Sequence, residues 1–147
     1  MSCPENLAAG VFQLFLRMHR LMDRRMAEQG ASLARTKLLL FLDRRGPGRA
    51  VDIADFFDQA PRTVTEAIDK LERDGLVTRS PDRSDRRVKQ VAITDEGRRV
   101  IGDTEPLRQG LIDSIFGVLD PAEQVQLDAM LTRLTEALDA QEQRANP

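Results

Sequence analysis

The residues from Ala60 to Gly75, APRTVTEAIDKLERDG, combine a predicted apolar face with side chains that can read nucleic-acid bases. Pro61 suits the first position of a helix, because its fixed φ and missing N–H are tolerated there. An apolar face follows at helical spacing, formed by Val64, Ala67, Ile68 and Leu71. The opposite face carries side chains that can hydrogen-bond base edges in a major groove, and the candidates are Arg62, Thr63, Thr65 and Glu66.

Basic side chains near this helix are suited to sequence-independent contacts with phosphate. Lys70 and Arg73 lie further along the same helix. Residues 79–90 contain five basic and two acidic side chains, an excess of positive charge in a chain of net charge −2. The phosphate and minor-groove candidates in this second stretch are Arg83, Arg86 and Arg87, with Asp85 as a residue that positions an arginine.

The sequence offers little for catalysis or for a metal. It contains one histidine and one cysteine, whereas nucleophilic catalysis needs a base beside its nucleophile and zinc usually takes four ligands. No glycine-rich phosphate loop is present. We therefore expect a protein that is not an enzyme and that has no cofactor and no metal.

Length and composition favour one medium-sized domain or a small domain with an oligomerisation element. The chain has 147 residues, and no apolar run approaches the ~20 residues of a membrane span. Its N-terminus does not resemble a signal peptide. A single cysteine, Cys3, excludes an internal disulfide and is typical of a reducing compartment. We expect a cytoplasmic protein, and leave open a redox role for Cys3.

The predicted elements give a mostly α-helical fold with a small β-hairpin. Two short helices joined by a tight turn form a helix-turn-helix, and an arginine-rich hairpin follows at once, which is the order of a winged helix-turn-helix. Residues 49–51 are predicted as a third, minor strand. Helices are predicted at 6–29, 33–45, 53–57, 61–73, 94–118 and from 121 onward, with hairpin strands near 76–79 and 88–93 and possible caps at Ser32, Asp52, Thr94 and Asp120.

The terminal helices predict a dimer interface, because they supply more apolar helix than one small core needs. Residues 100–147 carry three basic and nine acidic side chains, so this region has a net charge of −6. A narrow leucine line usually buries against another helix. Packing within the same subunit is the alternative. The predicted interface residues are Leu7, Val11, Leu127, Leu131, Leu134 and Leu138.

The sequence resembles the MarR family of transcription regulators over almost its whole length. The strongest match is PRTVTEAIDKLERDGLVTRSPDRSDRRVKQVAITDEG, which joins the recognition-helix pattern to a Leu-Glu-x-x-Gly-Leu-Val turn and to the apolar-Thr-x-x-Gly that opens the next helix. Counting back from Ile93 and Thr94 puts the family's Asp-x-Arg motif on Asp85 and Arg87. One departure is Ala60, where a capping Ser or Thr is common.

The resemblance implies a homodimeric, sequence-specific regulator of transcription, in most cases a repressor, that binds a pseudo-palindromic double-stranded operator. It also implies a small anionic or phenolic effector bound between the DNA-binding lobes and the dimerisation helices. Pocket candidates are Arg17, His19 and Met22. The peroxide-sensing and zinc-sensing branches fit poorly, because the chain has no tyrosine and one histidine.

The expected domains are an N-terminal helix of the dimerisation region at 1–30, a winged helix-turn-helix DNA-binding domain at 31–99 and C-terminal dimerisation helices at 100–147. A winged-helix module that binds protein without reading DNA is the alternative. A module of that kind would not need the arginines of the predicted hairpin.

Overall fold

The computed structural model describes residues 2–145 and has two compact units, one ending at Arg108 and one beginning at Gln109. The described residues form a mostly helical chain with a small antiparallel sheet, as predicted. The elements in order are α1 (Pro4–Glu28), α2 (Leu33–Arg45), β1 (Gly48–Arg49), α3 (Ala50–Phe57), α4 (Pro61–Arg73), β2 (Val77–Pro81), β3 (Lys89–Ile93), α5 (Asp95–Phe116) and α6 (Pro121–Ala145).

The boundaries of α2 follow from its flanking residues. The Ser32 Oγ accepts a hydrogen bond from the Arg35 N–H at 3.3 Å, as predicted for a cap. Gly46 ends the helix at φ +81°, a conformation that favours glycine. The apolar centre of α2 lies in the core, where Thr36, Leu38, Leu39 and Leu42 are buried.

The start of α3 differs from the prediction. The minor strand is Gly48–Arg49, and α3 begins at Ala50 with Arg49 as its N-cap residue. Asp52 therefore does not cap the helix and instead lies in its first turn, where the macrodipole also favours an acid. The physical reason is the sheet: Gly48 and Arg49 pair with β3, so the chain can enter the helix as soon as that pairing ends.

The sheet has the order β1-β3-β2 and is antiparallel throughout. Val77 pairs with Ile93 and Pro81 pairs with Lys89, so β2 runs two residues further than the predicted strand. Proline is tolerated here because β2 is an edge strand. We call the hairpin β2–β3 the wing, and its connection, residues 82–88, the wing loop.

The core of the first unit is formed by α2, α3, α4, the base of the wing and the first turns of α5. Val64, Ile68 and Leu71 of α4 are almost completely buried, as its spacing predicted. Val91 and Ile93 of β3 face the same core. The cluster consists of Leu38, Leu39, Leu42, Ile53, Ala54, Val64, Ile68, Leu71, Leu76, Val77, Val91, Ile93 and Ile101.

Thr94 joins the wing to α5. Its Oγ1 accepts a hydrogen bond from the Gly97 N–H at 3.1 Å, as predicted for a cap, and donates one to the Gly75 carbonyl at 2.7 Å. The Thr94 N–H donates to the Leu76 carbonyl at 3.0 Å. The end of α4, the start of the wing and the start of α5 are therefore held at one point.

In the second unit, α6 begins with a capping box. The Glu123 N–H donates to the Asp120 carboxylate at 2.8 Å, and the Asp120 N–H donates to the Glu123 carboxylate at 2.9 Å. Asp120 thus caps the helix, as predicted, and Glu123 completes the reciprocal pair. None of the described residues of α6 is buried.

Gly97 gives a test of this packing. A Cβ at Gly97 would lie against the Leu76 backbone carbonyl and 2.7 Å from Ile93 Cγ1, and neither can move without disturbing the base of the wing. We expect Gly97→Ala to lower the free energy of unfolding by about 1–3 kcal/mol, measured by urea denaturation at fixed protein concentration.

The control is Gly102→Ala in the same helix, where a Cβ would meet nothing within 4 Å. It should raise the free energy of unfolding by about 0.5–1 kcal/mol through helix propensity. Two variants of equal stability would contradict the close approach at Gly97.

Candidate nucleic-acid interface

The outward face of α4 is exposed because the inward face is anchored in the core. Arg62, Thr63, Thr65 and Glu66 of its first turns are all exposed, as are Lys70 and Arg73. Ala60 precedes the helix and offers no side-chain cap, so α4 begins without a side-chain acceptor for its first N–H groups. The exposed start of α4 can therefore present hydrogen-bond donors from both side chains and backbone to an anion.

Arg62 and Glu66 pair with each other. The Arg62 Nε lies 3.2 Å from the Glu66 Oε1, and the two side chains are 91% and 61% exposed. Such an exposed pair is weak, so both groups are free to exchange partners when another surface approaches. The pairing also limits the repulsion that Glu66 alone would exert on a polyanion.

Arg79 links the wing to α4. Its guanidinium donates to the Asp69 carboxylate at 2.6 Å and to the Glu72 carboxylate at 3.0 Å, and its side chain is 23% exposed. Partial burial lowers the pKa of Arg79, but the hydrogen bonds to Asp69 and Glu72 outweigh it and hold that pKa above its usual value. Asp69 therefore forms its hydrogen bond within the protein.

The wing loop presents its arginines to solvent. Arg83, Arg86 and Arg87 are exposed, and Asp85 is half-buried. The Asp85 Oδ1 accepts hydrogen bonds from the Arg87 N–H at 3.0 Å and from its Nε at 3.4 Å. The structure thus brings together the two residues of the Asp-x-Arg motif and leaves Arg87 94% exposed at the loop surface.

Two residues of the wing, Arg79 and Asp82, have structural roles that the sequence did not reveal. Arg79 was counted with the basic groups of the hairpin, yet its charge is committed to α4. Asp82 was not among the predicted site residues, yet it is buried at the base of the wing loop. The Asp-x-Ser spacing of Asp82 and Ser84 was the available signal, because an Asp side chain often accepts from the residue two positions on.

One of the three predicted pocket residues lines a groove in the first unit. His19 lines it together with Phe15, Lys37 and Phe57, whereas Arg17 and Met22 are not among its lining residues. Burial lowers the pKa of Lys37, and the Asp23 carboxylate opposes that shift. The groove thus combines the aromatic rings of Phe15 and Phe57 with the imidazole of His19 and the ammonium group of Lys37.

The predicted interface residues of the terminal helices lie mostly at the surface. Leu7 and Val11 of α1 are more than half exposed. In α6, Leu127 is half-buried, and Leu131, Leu134 and Leu138 are exposed. Cys3 is exposed immediately before α1.

Among residues 2–145, no cluster of three His, Cys, Asp or Glu side chains is arranged to hold a metal ion. Over the same range, no helix has the length and apolar character needed to cross a membrane.

The Arg79 contacts can be tested through stability. Arg79→Lys should lower the free energy of unfolding by about 1 kcal/mol, because one ammonium group cannot reproduce the two directed bonds of a guanidinium. Urea denaturation gives the value. The control is Arg62→Lys in the exposed pair, which should change stability by less than about 0.5 kcal/mol. A smaller effect at Arg79 than at Arg62 would refute the link between wing and helix.

Comparison with known proteins agrees with this geometry. Residues 32–89 match the model of the MarR family. The transcriptional repressor MdtR of Bacillus subtilis is 27% identical over 131 residues, covering 89% of this chain and 84% of that protein.

Solved structures share the fold. A structure of Bordetella bronchiseptica BpsR, from work on the regulation of its DNA binding by 6-hydroxynicotinic acid, has a TM-score of 0.74 at 24% identity and covers 92% of this chain and 96% of its own. The C80S mutant of MarR from E. coli, complexed with operator DNA, has a TM-score of 0.70 at 20% identity and covers 90% and 99%. The exposed face of α4, the arginine-bearing wing beside it and these similarities agree: the chain has the winged helix-turn-helix fold of these structures, and its residues 32–89 match the MarR family.

Proposed function

We propose that this protein binds a pseudo-palindromic double-stranded DNA operator as a homodimer and represses transcription from it. The observation that carries the proposal is the joint presentation of two surfaces on one lobe: the exposed first turns of α4 and the exposed arginines of the wing loop, connected through Arg79.

The recognition helix supplies base and phosphate contacts. Arg62 suits the two acceptors of guanine, Glu66 suits the amino group of cytosine, and Thr63 and Thr65 suit several bases. Lys70 and Arg73 lie toward the C-terminal end of α4 and suit phosphate, which orients the lobe without reading sequence. A helix held by its apolar face can offer these groups in a fixed register.

The wing supplies contacts to the adjacent minor groove. Arg83, Arg86 and Arg87 extend from the wing loop into solvent. A narrow A·T-rich minor groove has an enhanced negative potential that attracts arginine. The Asp85 carboxylate restrains Arg87, which reduces the conformational freedom that binding would have to remove.

Dimerisation explains the exposed apolar residues of the terminal helices. Leu131, Leu134 and Leu138 of α6 are 46%, 57% and 63% exposed in the isolated chain, and Leu7 and Val11 of α1 are similar. Apolar surface of this kind marks an interaction site. A two-fold symmetric dimer would place two lobes on half-sites about 10 bp apart.

The groove beside α4 is the proposed effector site. The aromatic rings of Phe15 and Phe57, the ammonium group of Lys37 and the imidazole of His19 suit a small aromatic acid or phenol. The groove also includes Thr63 and Glu66 of the recognition helix, so an occupant would touch the element that reads DNA. The DNA binding of BpsR is regulated by 6-hydroxynicotinic acid, and MdtR is a repressor. By analogy, we infer that effector binding releases this protein from its operator, within the cytoplasm.

Selection of bound duplexes from a random pool tests the function directly. A symmetric consensus is expected, and its affinity should fall log-linearly with salt through counterion release. Small aromatic acids and phenols can then be screened for release of the selected duplex. Failure to enrich any duplex, or a salt-independent affinity, would favour a winged-helix module that binds protein.

Arg87→Ala should weaken binding to the selected duplex by about 1–3 kcal/mol, because it removes the most exposed group of the Asp-x-Arg motif. Fluorescence anisotropy measures the affinity, and light scattering should show an intact dimer. Arg133→Ala on the exposed surface of α6 is the control with the same change of charge. Equal losses in both variants would indicate a general charge effect and refute the wing assignment.

Leu131→Asp should dissociate the dimer, since it puts a charge into the leucine line of α6. Light scattering measures the mass. The control is Val125→Asp, an exposed apolar residue of α6 outside that line, which should remain dimeric. An unchanged mass for Leu131→Asp would show that α6 is not the interface.

A further inference from the structure

We propose that the buried carboxylate of Asp82 is the positioning residue of the wing, holding the wing loop in the conformation in which Arg86 and Arg87 reach DNA while touching no DNA itself. This inference rests on the proposed DNA-binding function. Under this proposal, the buried Asp82 contributes to the affinity for DNA by orienting the exposed arginines that make the contacts.

Asp82 accepts hydrogen bonds on both carboxylate oxygens. The Oδ1 accepts from the Ser84 N–H at 2.8 Å and from the Ser84 hydroxyl at 2.7 Å. The Oδ2 accepts from the Arg49 Nε at 3.0 Å and from the Gln90 Nε2 at 3.1 Å. The residue is only 5% exposed, so water cannot replace these donors without opening the loop.

These donors come from three separate elements. Arg49 belongs to β1, Gln90 belongs to β3 and Ser84 belongs to the wing loop itself. The Asp82 N–H also donates to the Val88 carbonyl at 2.8 Å, which closes the loop across its base. One side chain, in the residue that directly follows β2, therefore fixes the wing loop to both β1 and β3.

An amide could not take the place of this carboxylate. A carboxylate accepts through two oxygens, whereas the amide of asparagine presents one oxygen and one donor group. At Asp82 that donor group would face two of the four donors described above. The hydroxyl and N–H of Ser84, with Arg49 and Gln90, hold the pKa of Asp82 well below its usual value against the opposing effect of burial.

The direction in which DNA affinity changes when the Asp82 charge is removed distinguishes a positioning role from a general electrostatic effect. Asp82 contributes a negative charge to a surface that is proposed to meet a polyanion. Removing that charge should strengthen DNA binding if only long-range electrostatics mattered. The positioning role makes the opposite prediction, because a released loop no longer presents Arg86 and Arg87 in a fixed place.

The experiment compares Asp82→Asn with Asp43→Asn, using the duplex selected by the wild-type dimer. Asp43 is a carboxylate of α2 that accepts one bond from Arg98 outside the wing, so the change of charge is matched. We expect Asp82→Asn to weaken binding by on the order of tenfold and Asp43→Asn to leave it unchanged or slightly tighter. Unchanged or tighter binding by Asp82→Asn would overturn the proposal.

A double-mutant cycle separates positioning from loss of stability. In a background that carries Arg86→Ala and Arg87→Ala, Asp82→Asn should cause no further loss of affinity, because the groups it positions are absent. Additive losses would overturn the proposal. If Asp82→Asn does not fold, Ser84→Ala removes one donor and keeps the charge, and it should give the same non-additive loss.

Hydrogen exchange gives a readout without DNA. In Asp82→Asn, the backbone amides of the wing loop should exchange faster while those of α2 and α4 keep the wild-type rate. Unchanged exchange in the loop would overturn the proposal whatever the affinities are. A wild-type protein that selects no duplex would defeat the proposed function along with this inference, whereas a wild type that binds and an Asp82→Asn that matches it would defeat this inference alone.

Discussion

Burial of the apolar face of α4 is the constraint on which the rest of the structure depends. Val64, Ile68 and Leu71 are enclosed by α2, α3 and the base of the wing. A helix anchored on one side cannot rotate about its axis, so the polar side must face outward. The side chains that we assign to base contacts therefore owe their orientation to three buried apolar residues that make no contact with DNA.

The second constraint is ionic and explains why acidic residues surround the proposed DNA-binding surface. Asp69 and Glu72 are occupied by Arg79, Asp82 by Arg49, and Asp85 by Arg87. Each carboxylate holds a basic group or a strand in place, and each is partly neutralised by doing so. Acidic residues beside a polyanion would otherwise be unfavourable, but here they form ion pairs within the protein. The basic groups at the surface of the wing loop remain available to phosphate.

The sequence predicts best where the determinants are local. Ser32 and Gly46 delimit α2, and Asp120 with Glu123 marks the start of α6, because each signal lies within one helical turn of the boundary it sets. The start of α3 could not be read in this way, since it depends on pairing between β1 and β3, residues about forty positions apart in the sequence. The role of Asp82 was hidden for the same reason, because its donors Arg49 and Gln90 meet only in the folded lobe.

The central claim is that two such lobes, each presenting α4 and its wing as a unit, grip one duplex together. Hydroxyl-radical footprinting on the selected duplex tests this most directly. The account predicts a two-fold symmetric pattern, with the two recognition helices centred about 10 bp apart and protected minor-groove segments beside each half-site. A single protected half-site, or two half-sites without protected minor-groove segments beside them, would contradict it.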